Sequence, residues 1–157
     1  MEIRQMDREA CAGKKFTARY KTSGYYDIRA CDMGYQLQYV PFEAAVERSF
    51  DDVFFGEWLE NPAAFGAYEN GSLIGYAEGS LESWNNRFRI SNICVFDQAM
   101  RSRGVGSLLM AEMEKAARSL GARMIVLETQ SCNEAAIAFY RKHGFSLICF
   151  DLYAYSN

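Results

Sequence analysis

The run Arg101-Ser102-Arg103-Gly104-Val105-Gly106-Ser107 most constrains what this chain can fold into. Before it, residues 88–95 carry the β-branched, alternating pattern of a strand. After it, Val105, Leu108, Leu109, Met113, Ala116 and Leu120 recur at helical spacing. A strand must therefore hand over to a helix through a turn holding two glycines and two arginines. At a helix start the first backbone N–H groups lack intrahelical acceptors, and the helix dipole places partial positive charge behind them. Such a turn is an anion cradle suited to phosphate. It is not a Walker A loop, since no Gly-Lys-Ser/Thr follows, and it lacks the Gly-x-Gly-x-x-Gly dinucleotide pattern. Taken alone, a glycine at a helix start can equally be a tight connection.

A second strand–helix unit follows. Residues 124–129 read as a strand, and residues 133–143 as a short helix capped by Asn133 and stopped by Gly144. Upstream, Asn70-Gly71 supplies the positive φ angles of a tight hairpin between strands at 63–68 and 72–83. Residues 16–41 alternate aromatic and polar side chains around Ser23-Gly24 and Met33-Gly34, which predicts strands and turns. Val53, Phe54 and Trp58 predict a short amphipathic helix over 50–60, closed before Asn61-Pro62. A final strand pair is expected over 146–155. Strands followed by two strand–helix units make a mixed α/β sheet with helices on its faces. With no repeat or Pro/Ser-rich linker, a single domain over residues 1–157 is the simplest organisation.

Composition narrows the function classes. Half of the residues are hydrophobic and 15% aromatic, which suits a globular protein with a core of its own. No apolar stretch approaches the ~20 residues that cross a bilayer, and Met1-Glu-Ile-Arg-Gln-Met-Asp7 lacks a signal-peptide pattern. A cytoplasmic location and no membrane partner are expected. Cys11, Cys31, Cys94, Cys132 and Cys149 form no Cys-x-x-Cys pair, so neither a disulfide framework nor a metal site is expected. Cys94 reads as a buried apolar residue in its strand. Cys132 reads as more exposed, with a nucleophilic role as its rival reading. A net charge of −3 argues against a broadly basic nucleic-acid binder. The charge is unevenly placed: residues 43–82 hold nine carboxylates against Arg48 alone. That stretch is either a solvated acidic surface or an attractor for a polyamine-like or lysine-like substrate.

Two blocks carry a family resemblance. Arg-x-x-Gly-x-Gly at Arg101 to Gly106, and Asn-x-x-Ala-x-x-Phe-Tyr-x-x-x-Gly-Phe at Asn133 to Phe145, resemble the GCN5-related N-acetyltransferase (GNAT) family in order and spacing. Leu127-Glu-Thr-Gln130 and Trp84-Asn85 resemble its streptothricin acetyltransferase branch. The resemblance is strongest over residues 71–145. It implies a mostly antiparallel sheet in which two central parallel strands splay apart, with helices on both faces. It implies acetyl-CoA as co-substrate and no metal.

The same resemblance implies roles for particular residues. Arg101, Arg103, Gly104, Val105, Gly106 and Ser107 would hold the pyrophosphate. Ile93, Cys94 and Val95 would pair with the pantetheine arm, one of their N–H groups facing the thioester oxygen. Asn133 would cap its helix and bind the cofactor arm. Tyr140 matches the family's general acid, a phenol of reference pKa about 10 that can protonate a departing thiolate; its competing reading is a core aromatic beside Phe139. His143 fits a structural place at the helix C-terminus. Similar streptothricin acetyltransferases carry Glu-Asp where this chain has Ser91-Asn92, so the base must lie elsewhere. Glu78, Glu82 and Glu128 remain open as candidates, and so does a water chain.

The implied activity is direct N-acetyl transfer to a primary amine of a cationic small molecule, with antibiotic resistance through a streptothricin-type acceptor as its most specific form. Trp84, Tyr35, Tyr39 and Trp58 are candidate linings of an acceptor pocket. Acetylation of a protein N-terminus or lysine, and a non-catalytic acyl-CoA-binding module, are the alternatives. A monomer or homodimer is expected.

Overall fold

A computed structural model describes residues 1–96 and 98–152. Its elements are β1 (Glu2–Gln5), α1 (Arg8–Cys11), β2 (Lys15–Cys31), β3 (Gly34–Val53), β4 (Ala63–Glu69), β5 (Ser72–Glu82), β6 (Arg87–Val95), a 3-10 turn (Gln98–Met100), α2 (Val105–Ser119), β7 (Met124–Leu127) and α3 (Glu134–Lys142). Contacts divide the chain into two compact units, one formed by Met1–Ala18 with Ser49–Glu128, the other by Arg19–Arg48 with the chain from Thr129 onward. No helix among the described residues is long and apolar enough to cross a membrane.

The first unit is a five-stranded sheet in the order β1-β4-β5-β6-β7. Its first three pairings are antiparallel, and β6 and β7 are parallel. This is the mixed α/β sheet that the sequence predicts. Strand β5 is buried at every position from Ile74 to Ser80, so both of its faces are covered. On one face lies α2, whose Val105, Leu109, Met110, Met113 and Ala117 are buried. Gly75 admits it, since a Cβ there would stand 3.2 Å from both Leu109 and Val105. On the other face an aromatic cluster closes around Tyr76. The Tyr76 ring lies 4.7 Å from Phe54 and 5.7 Å from Phe16, centroid to centroid, with Met6, Ala18 and Phe55 in the same core. Each such ring pair contributes about 0.5–1.5 kcal/mol beyond its buried area.

The β4–β5 hairpin turns at Asn70-Gly71, both at positive φ (51° and 81°), as the sequence predicts. Strand β6 pairs with β7 through Arg87↔Met124 to Ile90↔Leu127, where that pairing stops. Beyond it, Asn92 to Val95 pair, among the described residues, with β5. A bulge falls at this point, because Glu78 faces Asn92 while Gly79 faces Ile90, leaving Ser91 as the extra residue. Ile93, Cys94 and Val95, to which the family resemblance assigns the cofactor arm, thus lie beyond the end of the β6–β7 pairing.

The long strands β2 and β3, joined through Asp32-Met33, form a two-stranded sheet whose Arg19–Arg48 stretch belongs to the second unit, where Asn133 caps α3. Three sequence expectations are corrected. Residues 50–60 form no helix: β3 runs to Val53 and turns follow, because Phe54 and Phe55 are both drawn into the aromatic core while Trp58 stands exposed. Ser23-Gly24 is no turn but the middle of β2, where a Cβ on Gly24 would come within 2.4 Å of the Val40 carbonyl oxygen. Residues 146–152 form no strand; the remainder of the expected strand pair, 153–155, lies outside the described residues.

Candidate active site

In the turn before α2 the Arg103 N–H donates to the Met100 carbonyl (3.4 Å). Gly104 occupies the N-cap at φ 83° and gives no side-chain cap hydrogen bond, so the amides of Val105 and Gly106 open the helix without one. Ser102 also lies at positive φ, 69°. Two positive-φ residues bracketing Arg103 form a tight loop ahead of a fifteen-residue helix. Arg101 donates from Nη2 to the Val95 carbonyl (3.2 Å), fastening the turn to the end of β6. Arg103 grips Glu69 with two hydrogen bonds, 3.0 and 3.1 Å. The parted end of β6, carrying Ile93, Cys94 and Val95, leads into this turn. Burial pushes the Cys94 thiol up to about 12, so it carries no thiolate at neutral pH. At the bulge, Ser91 Oγ is buried and has no hydrogen-bond partner among the described residues.

The three candidate carboxylates have unlike surroundings. Glu82 sits between two arginines: Arg87 reaches Oε2 at 2.9 and 3.0 Å, and Arg89 Nε reaches Oε1 at 2.6 Å. Burial acts to raise its pKa, but the hydrogen bonds from Arg89, Arg87 and Asn85 together hold it below the usual range. Glu128 follows β7 and is exposed. Glu78 is fully buried. Its Oε2 accepts from the Tyr76 hydroxyl and from the Phe55 backbone N–H (3.0 Å), and its Oε1 from Asn92 Nδ2 (3.1 Å). Burial raises its pKa by more than these hydrogen bonds lower it.

The structure adds a residue that the sequence did not single out. Asn92 Nδ2 also donates to Asp52 Oδ2 (2.9 Å), so one amide bridges two carboxylates from two other strands. The Glu78–Tyr76 half was visible as an i, i+2 pair on one strand face. Nothing local in Asp51-Asp52 points to Asn92, forty residues away.

Asn133, Tyr140, His143 and Cys132 belong to the second unit. Asn133 Oδ1 accepts from the Ala136 N–H (3.2 Å). The half-buried Tyr140 ring packs on Phe139 and Phe145, at 5.6 and 5.9 Å. His143 stacks on Phe139 at 4.5 Å, at the C-cap of α3. Cys132 lies 3.5 Å from the Tyr20 hydroxyl. Of the aromatics considered for an acceptor pocket, Trp58, Trp84, Tyr35 and Tyr39 are all exposed, and Trp84 lies under the Arg87 guanidinium at 5.6 Å.

Comparison with known proteins adds to this geometry. The model of the Acetyltransferase (GNAT) family matches residues 31–145. A streptothricin acetyltransferase of Streptomyces lavendulae is 29% identical over 159 residues, covering 96% of this chain and 82% of the relative. Among solved structures, a nourseothricin acetyltransferase aligns with a TM-score of 0.79 at 30% identity, over 98% of this chain and 88% of that one. A Bacillus anthracis str. Ames protein described as a streptothricin acetyltransferase, solved with acetyl coenzyme A, aligns with a TM-score of 0.70 at 25% identity, over 96% and 84%.

Proposed function

The chain belongs to the Acetyltransferase (GNAT) family, and from that membership we propose that it moves an acetyl group from acetyl-CoA directly to a primary amine of a cationic small molecule, of the streptothricin class. The observation that carries this reading is that the β6–β7 pairing ends at Ile90, with the following end of β6 tied through Arg101 to the glycine turn. A backbone edge without a neighbour strand offers ladder hydrogen bonds to an extended arm, and the turn offers N–H groups and positive charge to phosphate. The residues present therefore suit acetyl-CoA. The family match spans residues of both units, which supports their serving one acetyltransferase domain.

Acetyl-CoA supplies an acetyl thioester. The amides of Val105 and Gly106, with Arg101 and Arg103, hold the pyrophosphate. An N–H among Ile93, Cys94 and Val95 steadies the developing charge on the carbonyl oxygen. Tyr140 keeps the general-acid role that its motif implies, donating its phenolic proton to the departing sulfur. The acceptor class rests on the likeness to streptothricin acetyltransferases along nearly the whole chain, and on the acid-rich stretch over residues 43–82, which draws a polycation.

The test is mass-detected transfer from acetyl-CoA to streptothricin, aminoglycosides, polyamines and lysine-bearing peptides. One acetyl group added to streptothricin with efficient turnover is the expected result. Transfer to peptides alone would replace the acceptor, and binding of acetyl-CoA without any product would favour a non-catalytic module. Tyr140→Phe should lower kcat about a hundredfold and leave the Kd for acetyl-CoA unchanged.

A further inference from the structure

Amide formation from an ammonium group removes two protons from nitrogen. As the nitrogen lone pair bonds to the acetyl carbon and the C–S bond breaks, one proton is needed on the leaving sulfur. The other must pass to a base and then to water. Among the carboxylates hydrogen-bonded around β5 and β6, the lone-pair count separates Asp52 from Glu78 and Glu82. Glu78 has no exposed surface, and its oxygens already accept three hydrogen bonds, from Tyr76, Phe55 and Asn92. Glu82 is held by two arginines. Asp52 differs from both: it is half-buried, and among the described residues each of its oxygens accepts one hydrogen bond, Oδ1 from the Val53 N–H (2.8 Å) and Oδ2 from Asn92 (2.9 Å). A carboxylate offers about four lone-pair positions, so Asp52 has capacity for a further donor.

Asn92 makes this arrangement specific. Its two amide hydrogens point to Asp52 and Glu78, which fixes the amide orientation, because the flipped form would set its carbonyl oxygen against two carboxylates. It is paired with Glu78 across β5 and β6, beside the bulge where β6 leaves β7. Asp52 is thereby anchored to Asn92, the residue before Ile93 at the beginning of the strand segment assigned to the thioester.

We infer that Asp52 is the base that takes the proton from the acceptor amine, with Asn92 positioning its carboxylate and Glu78 anchoring Asn92 from behind. The inference rests on the acetyltransferase reading. The ionisable groups near Asp52 are Glu78 from β5, with Tyr76 hydrogen-bonded behind it, Cys94 from β6, and Asp51 beside it, whose Oδ1 accepts from the Thr17 hydroxyl at 2.6 Å.

The experiment measures kcat/KM for streptothricin between pH 6 and 10 in the wild type, Asp52→Asn, Asp52→Glu and the neighbouring control Asp51→Asn, together with the Kd for acetyl-CoA. For Asp52→Asn the expected loss at pH 7 is about a hundredfold or more, with acetyl-CoA affinity within twofold. Its activity should then climb tenfold per pH unit up to the pKa of the acceptor amine, a steeper rise than the wild type shows. Asp52→Glu should recover part of the rate, and Asp51→Asn should match the wild type. A kcat/KM for Asp52→Asn within threefold of wild type at pH 7 overturns the inference. So does an equal loss in Asp51→Asn, or a parallel loss of acetyl-CoA binding, since those mark a structural role. A wild-type protein that acetylates no amine removes the acetyltransferase reading itself, and this inference with it.

Discussion

Arg103 lays its guanidinium flat against the Glu69 carboxylate, Nη1 to Oε2 at 3.1 Å and Nη2 to Oε1 at 3.0 Å. The glycine turn is thereby tied to the end of β4, next to the Asn70-Gly71 corner. Bidentate geometry of this kind is also how arginine binds phosphate. The carboxylate and a bound pyrophosphate therefore compete for one guanidinium. Glu69→Gln should tighten acetyl-CoA about threefold at low ionic strength, with the gain fading in salt because the Arg103 side of the pair is exposed. Arg103→Ala should weaken acetyl-CoA about tenfold. Calorimetric titration at two salt concentrations reads both; weaker binding by Glu69→Gln would show instead that Glu69 aims the arginine.

Gly104 separates two reasons for a glycine. A Cβ there would meet nothing within 4 Å, yet φ is 83°, so the demand of the free protein is conformational. Gly104→Ala should cost about 1–2 kcal/mol of stability. Asn tolerates this region better, so Gly104→Asn should restore most of the melting temperature. It should still bind acetyl-CoA poorly, because its side chain fills the space where phosphate must approach the amides. Recovery of stability and affinity together would remove the close-approach argument.

The sequence made the two strand–turn–helix blocks legible because each depends on residues close in the chain. Gly104, Asn133 and Asn70-Gly71 act through their own φ angles and hydrogen bonds. Segments governed by distant partners were misread. Val53, Phe54 and Trp58 have helical spacing, but Phe54 and Phe55 enter the core beside Tyr76 from a turn in which Phe55 adopts φ 55°. That conformation lets the Phe55 N–H meet Glu78, a contact invisible until β3 and β5 are placed together. Gly24 looked like a turn residue and proved to be a strand position pressed against Val40 and Tyr39. The bridge from Asp52 through Asn92 to Glu78 joins three strands, and no periodicity encodes it.

Glu78 gives the stability of the fold a definite pH dependence. Its pKa in the folded chain is raised by burial above the ordinary carboxylate value. Between the unfolded and folded pKa values the native state binds the extra proton, so stability falls as pH rises through that interval. Below it both states are protonated and the group contributes no slope. Glu78→Gln removes this component. Relative to wild type, the variant should gain stability steadily as pH rises above about 4.5, the ordinary glutamate range. Urea denaturation midpoints from pH 4 to 8 test this; a constant difference between the two proteins would show that Glu78 titrates alike in the folded and unfolded chains.

Glu134 produces the opposite slope in the second unit. At the first turn of α3, it accepts hydrogen bonds from the Tyr39 hydroxyl (2.7 Å), the Ser23 backbone N–H and the Thr22 hydroxyl (3.0 Å). One carboxylate thus fastens α3 to both β2 and β3. The hydrogen bond from Tyr39, followed by that from the Ser23 N–H, holds its pKa below the ordinary glutamate value. A depressed pKa means that the unfolded chain binds the proton first on acidification. The stabilisation is therefore fully present above the unfolded value of about 4.5 and is lost as pH falls through the folded value. These bonds lie largely at the surface, so Glu134→Ala should cost roughly 1 kcal/mol at pH 7. Tyr39→Phe should cost less, because the Ser23 and Thr22 contacts survive. Hydrogen exchange resolved to the Ser23 amide and α3 is the sensitive measurement. Glu134→Ala should speed exchange at both places at pH 7, and acidifying the wild type should reproduce the effect. Faster exchange at α3 alone would reduce Glu134 to an acidic residue favouring its own helix N-terminus, without a role in joining the helix to the hairpin.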